Sequence, residues 1–174
     1  MVPVGSAIGP VNEAKACVDS AVSSIRLSGV KSTAGGVERC DPYADCVTRV
    51  NQFRACVCMG PLSRNTAAEA CANQQAQHDS ETGTAHSGFT DKICTPGGSA
   101  QNECPGYRSV AQTINTCVLS MFDEGPPPTS TCTGACYQTY GHFINMTNTR
   151  YKSVACGFYT TPSGQVWQVQ NYFP

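Results

Sequence analysis

The sequence predicts an α+β fold, and three observations carry that prediction. Apolar residues recur at helical spacing through the first two thirds of the chain. The last quarter turns to Val, Tyr, Phe and Trp in two short runs split by a turn. Twelve cysteines run through both parts. Helices first and a hairpin last place helices against a small antiparallel sheet.

The elements follow in order. "GPVNEAKACVDSAVSSIRLS" sets Val11, Ala14, Cys17, Val18, Ala21, Val22 and Ile25 on one face of an amphipathic helix. "GVKSTAGGVERCDP" breaks it. A second helix is predicted over about Tyr43–Val57, ending where Gly60-Pro61 forbids continuation. A third starts at Thr66, with Glu69 completing a capping box. Its Ala-rich sequence suits close packing. "TGTAHSGFTDKICTPGGSAQNECPGY" reads as loop. "SVAQTINTCVLSMF" is a fourth helix, boxed by Ser109 and Gln112, with Val110, Ile114, Cys117, Val118 and Met121 on one face. "DEGPPPTSTCTGAC" is a loop stiffened by Pro126, Pro127 and Pro128. "KSVACGFYT" and "QVWQVQNYF" form the hairpin around "TPSG".

Composition narrows the function. Only 13% of residues are charged and the net charge is -1, so no basic face is available for nucleic acid. No apolar run approaches the roughly 20 residues of a membrane span. Twelve cysteines fit disulfide cross-links in an oxidising compartment. The spacings lack the C-x2-C knuckles of a structural zinc site. Two local pairs are expected, Cys94 with Cys104 and Cys132 with Cys136. The start "MVPVGSAIGP" has neither a charged nor an apolar leader segment, so Met1 is read as standing where a leader was removed.

Singled-out residues have plain readings. Trp167 and Tyr172 are read as hairpin core, and His78 as a solvated helix-end residue. Asn145-Met146-Thr147 matches a glycosylation sequon, silent if buried. Neither H-E-x-x-H nor G-x-S-x-G occurs. Ser87 follows His86, but adjacency in sequence does not place a hydroxyl against an imidazole.

From about Cys46 onward the chain resembles the CAP superfamily, the cysteine-rich secretory, antigen 5 and pathogenesis-related 1 proteins, or SCP-like extracellular domains. The fragments that carry the resemblance are "VNQFRACVCMGPL", "AEACANQQAQHDSETGTAHSGF", "SAQNECPGYRSV", "MFDEGP", "GHFINM" and "SVACGF" with "VWQVQNYFP". They stand in the family's order over roughly 130 residues. The resemblance implies a disulfide-rich, three-layer α-β-α sandwich over residues 43–174, after an N-terminal helical extension, 1–42, that has no counterpart in it. It implies a central cleft with two histidines and two acidic residues, which fall on His86, Gln101, Glu124 and His142. Gln101 departs from the family, which has Glu there; Glu103, two residues on, is a candidate to compensate. The last strand also departs, with Gln170 where animal members often carry cysteine.

That resemblance implies a secreted binding module, extracellular or at the cell surface. Its expected partners are a lipid or sterol, an extracellular protein or a cell-wall component. His86 and His142 are the candidate ligands of zinc or another divalent metal, bound weakly. The competing reading of the two histidines is hydrogen bonding to carboxylate and backbone partners alone. The alternative function is a hydrolase that uses Glu124 and the histidines, with or without metal. Gln101 weighs against it, because acid/base work uses two titrating groups of different character. Ligand specificity is expected in the loops Asp91–Pro105 and Gly125–Tyr140.

Overall fold

A computed structural model describes Cys17, Asp19, Ser20 and residues 41–174. The expected helix near Val11–Leu27 lies outside the described residues, apart from those three helical positions. Cys17 is joined by a disulfide to Cys56.

Helix α1 spans Pro42–Cys56. Asp41 starts it, accepting the N–H groups of Tyr43 and Ala44, and Pro42 fits the first turn, where no N–H is needed. The two-residue strand β1 (Ser63–Arg64) follows. Thr66 does not cap the next helix: Thr66–Ala68 is a 3-10 turn, and α2 runs over Glu69–Thr82. Glu69 pairs with Arg64, which also reaches Asp41, so its carboxylate is drawn away from the box. Gly83 ends α2 in the left-handed conformation. A single turn, α3 (Ser87–Thr90), comes next.

Strand β2 (Ala100–Tyr107) lies in a stretch expected to be loop. The following helical run, α4, is continuous through Val110–Gln112, a π-helical turn at Thr113–Cys117 and Val118–Phe122. Ser109 accepts the N–H of Gln112, but the Gln112 side chain answers to Arg108 rather than Ser109, so half of the expected box forms. Helix α5 (Ala135–Thr147) is the second element missed, and it carries His142. The hairpin is present as β3 (Ser153–Thr160) and β4 (Val166–Phe173).

The sheet order is β1-β3-β4-β2, with β1 parallel to β3 and the other pairs antiparallel. Helix α2 covers one face, where Ala72 and Ala76 pack with Val169, Tyr159 and Trp167. The approach is so close that a Cβ on Gly157 would stand 2.2 Å from the Ala72 carbonyl carbon. Helices α1, α4 and α5 cover the other face with the main core, which includes Phe53, Phe122, Phe143, Val154 and Tyr172. Phe122 stacks on Phe53 at 4.9 Å and meets Phe143 at 5.3 Å, which ties the three helices together and seats α5. The three-layer α-β-α sandwich is therefore present, and Trp167 and Tyr172 are hairpin core as expected.

Ten cysteines are paired: Cys17–Cys56, Cys46–Cys156, Cys71–Cys94, Cys104–Cys117 and Cys132–Cys136. The expected Cys94–Cys104 bridge is wrong. Cys94 turns back to α2, while Cys104 lies on the β2 face that meets α4 and joins Cys117. Among the described residues Cys58 is the free cysteine, and it is exposed. Among the same residues no helix is long and apolar enough to cross a membrane.

Candidate functional site

Strand β2 is an edge of the sheet, and its successive side chains serve opposite faces. Gln101 and Glu103 turn toward α2 and the His86 turn; Asn102 turns toward α5. Both candidate histidines are anchored to this short piece of strand. The His86 ring bonds the Gln101 side chain through Nδ1 at 2.8 Å. The His142 carbonyl accepts from Asn102 at 3.1 Å. Asn145, three residues past His142, donates to the Gln101 carbonyl and to the Asn102 side chain, so α5 closes over the strand's edge.

Two pairs result from the four expected residues, His86 with Gln101 and His142 with Glu124. Glu124 sits after α4. One oxygen takes His142 Nδ1 at 2.5 Å; the other accepts the backbone N–H groups of His142 and Phe143. A carboxylate accepts, so Nδ1 is the donor of this pair, and in the neutral ring Nε2 is then the acceptor nitrogen. Both imidazoles are about one-third exposed, at 39% for His86 and 35% for His142. Gln101 is buried behind His86, so it supports the ring and does not line an open surface.

His86 itself adopts a left-handed backbone, with φ of 64°. Two buried carboxyl groups hold that turn. Glu103, with a fully buried side chain, accepts the His86 N–H at 2.6 Å. Asp79 of α2 accepts from the Ser87 hydroxyl at 2.7 Å and from the Gly88 N–H at 2.6 Å. Burial and the neighbouring Asp79 push Glu103 up to about 8, while the His86 N–H pulls the other way. Glu103 is thus the backbone anchor of His86. The Ser87 hydroxyl is committed to Asp79 and is not directed at an imidazole.

Sequence reasoning missed the support behind Gln101. Its amide nitrogen donates to Gln75 at 3.1 Å and to Asn171 at 3.0 Å, and Asn171 donates in turn to Gln75 at 2.6 Å. A signal was available: Cys71, Gln75 and Asp79 repeat every fourth residue, which puts two polar side chains on the buried face of an Ala-rich helix. His78 is apart from all of this, 3.9 Å from Asp91 near the surface.

As a metal site the arrangement is sparse. Nδ1 of each histidine is occupied by its partner, which leaves two Nε2 atoms as nitrogen donors. Among the described residues no three His, Cys, Asp or Glu side chains converge as a ligand set.

The family model for the CAP domain, the cysteine-rich secretory protein family, matches residues 47–172. No curated protein sequence matches the chain. The match takes in both histidines, β2, α5 and the closing hairpin, and such a disulfide-rich fold is typical of secreted proteins. The chain belongs to the CAP, or cysteine-rich secretory protein, family.

Proposed function

We propose that the protein is a secreted binding module that takes up a small ligand, a lipid or sterol, beside His86 and His142, and that binds a divalent ion such as Zn²⁺ weakly at the same place. The observation that carries this reading is the pairing of both imidazoles through Nδ1, to Gln101 and to Glu124, with both rings partly open to solvent. Rings held this way present Nε2 to a ligand or metal. Two nitrogens with water in the remaining positions make a weak site, in which protons compete with the ion.

Hydrolysis is the weaker reading. The hydroxyl of Ser87, the residue after His86, donates to Asp79 and so is not paired with an imidazole. Calorimetry with Zn²⁺ tests the metal reading. Binding is expected to weaken as pH falls through about 6.5, the ordinary imidazole range. His142→Ala should abolish it and His78→Ala should leave it unchanged. Native mass spectrometry with phospholipids and sterols tests the ligand, alongside a peptide-cleavage screen. Turnover of peptides without lipid or sterol binding would reverse the order of the two readings.

A further inference from the structure

The segment 125–134, "GPPPTSTCTG", is rich in proline and hydroxyl side chains. Between Glu124 and Ala135 the chain forms neither helix nor strand. Thr129, Ser130, Thr131 and Thr133 are all exposed. Thr129 spends its hydroxyl on the Thr131 carbonyl, at 2.8 Å. Among the described residues the hydroxyls of Ser130, Thr131 and Thr133 make no hydrogen bond.

The fold holds this segment outward from both ends. Glu124 is fastened to the backbone N–H groups of His142 and Phe143, and Cys132 to Cys136. Pro126, Pro127 and Pro128 favour extended, solvated backbone between the two tethers. Exposed loop backbone is what an enzyme acting on a folded protein can reach. The hairpin turn "TTPSG" shows that composition alone does not give such a site. There Thr161 and Ser163 bond each other at 2.9 Å, and the Thr161 hydroxyl oxygen accepts the Gln165 N–H at 3.0 Å. The backbone is closed as well, by the Thr161 and Gly164 N–H groups.

We propose that Ser130, Thr131 and Thr133 are acceptors for O-linked sugar of the mucin type, with N-acetylhexosamine from a nucleotide-activated donor as the first residue. Serine and threonine tracts with proline carry such sugars. In the transfer, a side-chain Oγ attacks the anomeric carbon of the donor and forms the new C–O bond. The bond from that carbon to the diphosphate breaks, and the nucleoside diphosphate leaves with the electron pair. The hydroxyl proton passes to a base of the transferase. The loop begins at Glu124, the partner of His142, so the sugars stand on the chain that leads away from the candidate site. The inference takes from the secreted reading only the compartment in which the transferase is met, and its test does not use it.

The test incubates the folded, disulfide-bonded protein with a purified peptide N-acetylgalactosaminyltransferase and its nucleotide sugar. The intact mass is expected to rise by one or more N-acetylhexosamines. Fragmentation should place them on Ser130, Thr131 or Thr133, with Thr161 and Ser163 bare. The combined Ser130→Ala, Thr131→Ala and Thr133→Ala variant should take up none at an unchanged urea midpoint, since these side chains are exposed. Equal uptake by the variant, or sugar on the hairpin turn with the loop bare, overturns the proposal. A synthetic peptide of residues 124–135 separates sequence from presentation. A labelled peptide beside an unlabelled protein shows that the fold withholds the loop, and no label on either ends the proposal outright. A modified protein that is never exported removes the secreted reading and leaves the acceptor loop standing.

Discussion

Glu103 accepts the backbone N–H of His86 at 2.6 Å from a fully buried position, so a carboxyl group beneath the sheet edge fixes where this histidine sits. Its outer neighbour is Asp79. Glu103 Oε1 and Asp79 Oδ2 have no other protein partner, and a proton on Glu103 gives both oxygens one.

That proton makes stability depend on pH. Glu103 is raised from 4.5 to about 8 in the folded protein, so the folded state binds more protons than the unfolded state between those values. Its contribution is fully present below about 4.5 and is lost as pH rises through about 8. Urea midpoints are expected to fall across this window, with a slope approaching about 1.4 kcal/mol per pH unit for one proton. Glu103→Gln keeps an acceptor for His86 and a donor for Asp79 and should flatten that slope. An unchanged slope in the variant would assign it to another group.

Gly157→Ala should be severely destabilising. The added methyl would stand 2.2 Å from the Ala72 carbonyl carbon and 2.5 Å from its Cβ and oxygen. Backbone cannot swing aside as a side chain can, so α2 must lift from β3. The expected loss is about 3 kcal/mol or more, read from the urea midpoint. A loss under about 1 kcal/mol would mean that α2 is free to shift outward.

Cys40 and Cys58 should both titrate as thiols. Five bridges use ten of the twelve cysteines, which leaves these two. Cys40 lies outside the described residues but is bonded to Asp41, at the start of α1, and Cys58 follows the helix's end. The 15 residues between Pro42 and Cys56 extend about 22 Å at 1.5 Å per residue. A disulfide needs its Cα atoms within about 7 Å. Alkylation of the denatured, unreduced monomer followed by peptide mapping should label these two alone. A Cys40–Cys58 peptide pair would show that α1 does not hold its observed span.

Legibility in the sequence followed the kind of signal each element offers. α1 and the hairpin were readable because their caps, turn and periodicity are local. β2 was not, because "AQNECPGY" spends its alternating side chains on hydrogen bonds and a disulfide, not on an apolar face. α5 was hidden by Gly141 and its aromatic neighbours. Gly141 is a poor helix former, yet it packs beneath the Tyr137 ring, 3.3 Å from where its Cβ would be. The four site positions came from resemblance to a family. The residues behind them could not, since Gln75 and Asn171 are partners across 96 positions of chain. Cys94 and Cys104 show the same limit, for proximity in sequence chose a bridge that the sheet forbids.

Asn145 is a structural joint, not a glycan acceptor. Its amide nitrogen donates to the Gln101 carbonyl and Asn102 Oδ1, and its oxygen accepts from Tyr137. At 6% exposure no sugar could be accommodated without parting α5 from β2. Folded protein secreted from a eukaryotic host should show the unmodified mass. Asn145→Ala leaves buried acceptors unpaired and should cost about 1–3 kcal/mol. A folded species with a glycan at this position would mean that the joint opens.

Gln101→Glu restores the family's carboxylate, and it should weaken this protein at neutral pH. Glutamate can still accept from His86 Nδ1, so the ring keeps its partner. The other carboxylate oxygen, however, would face Gln75 Oε1 and Asn171 Oδ1, where the wild-type amide donates to both. Two buried hydrogen bonds are exchanged for oxygen–oxygen repulsion, a loss of about 2 kcal/mol or more. Reversing Gln75 alone does not repair it, because Asn171 donates to that same Gln75 oxygen; Gln75 and Asn171 would have to turn together. Protonation does, since a carboxylic O–H can donate where the amide did. The variant should therefore melt well below wild type near neutral pH and recover most of the difference as pH falls toward about 4, the carboxylic range. Equal melting temperatures at neutral pH would show that the amides around residue 101 turn freely.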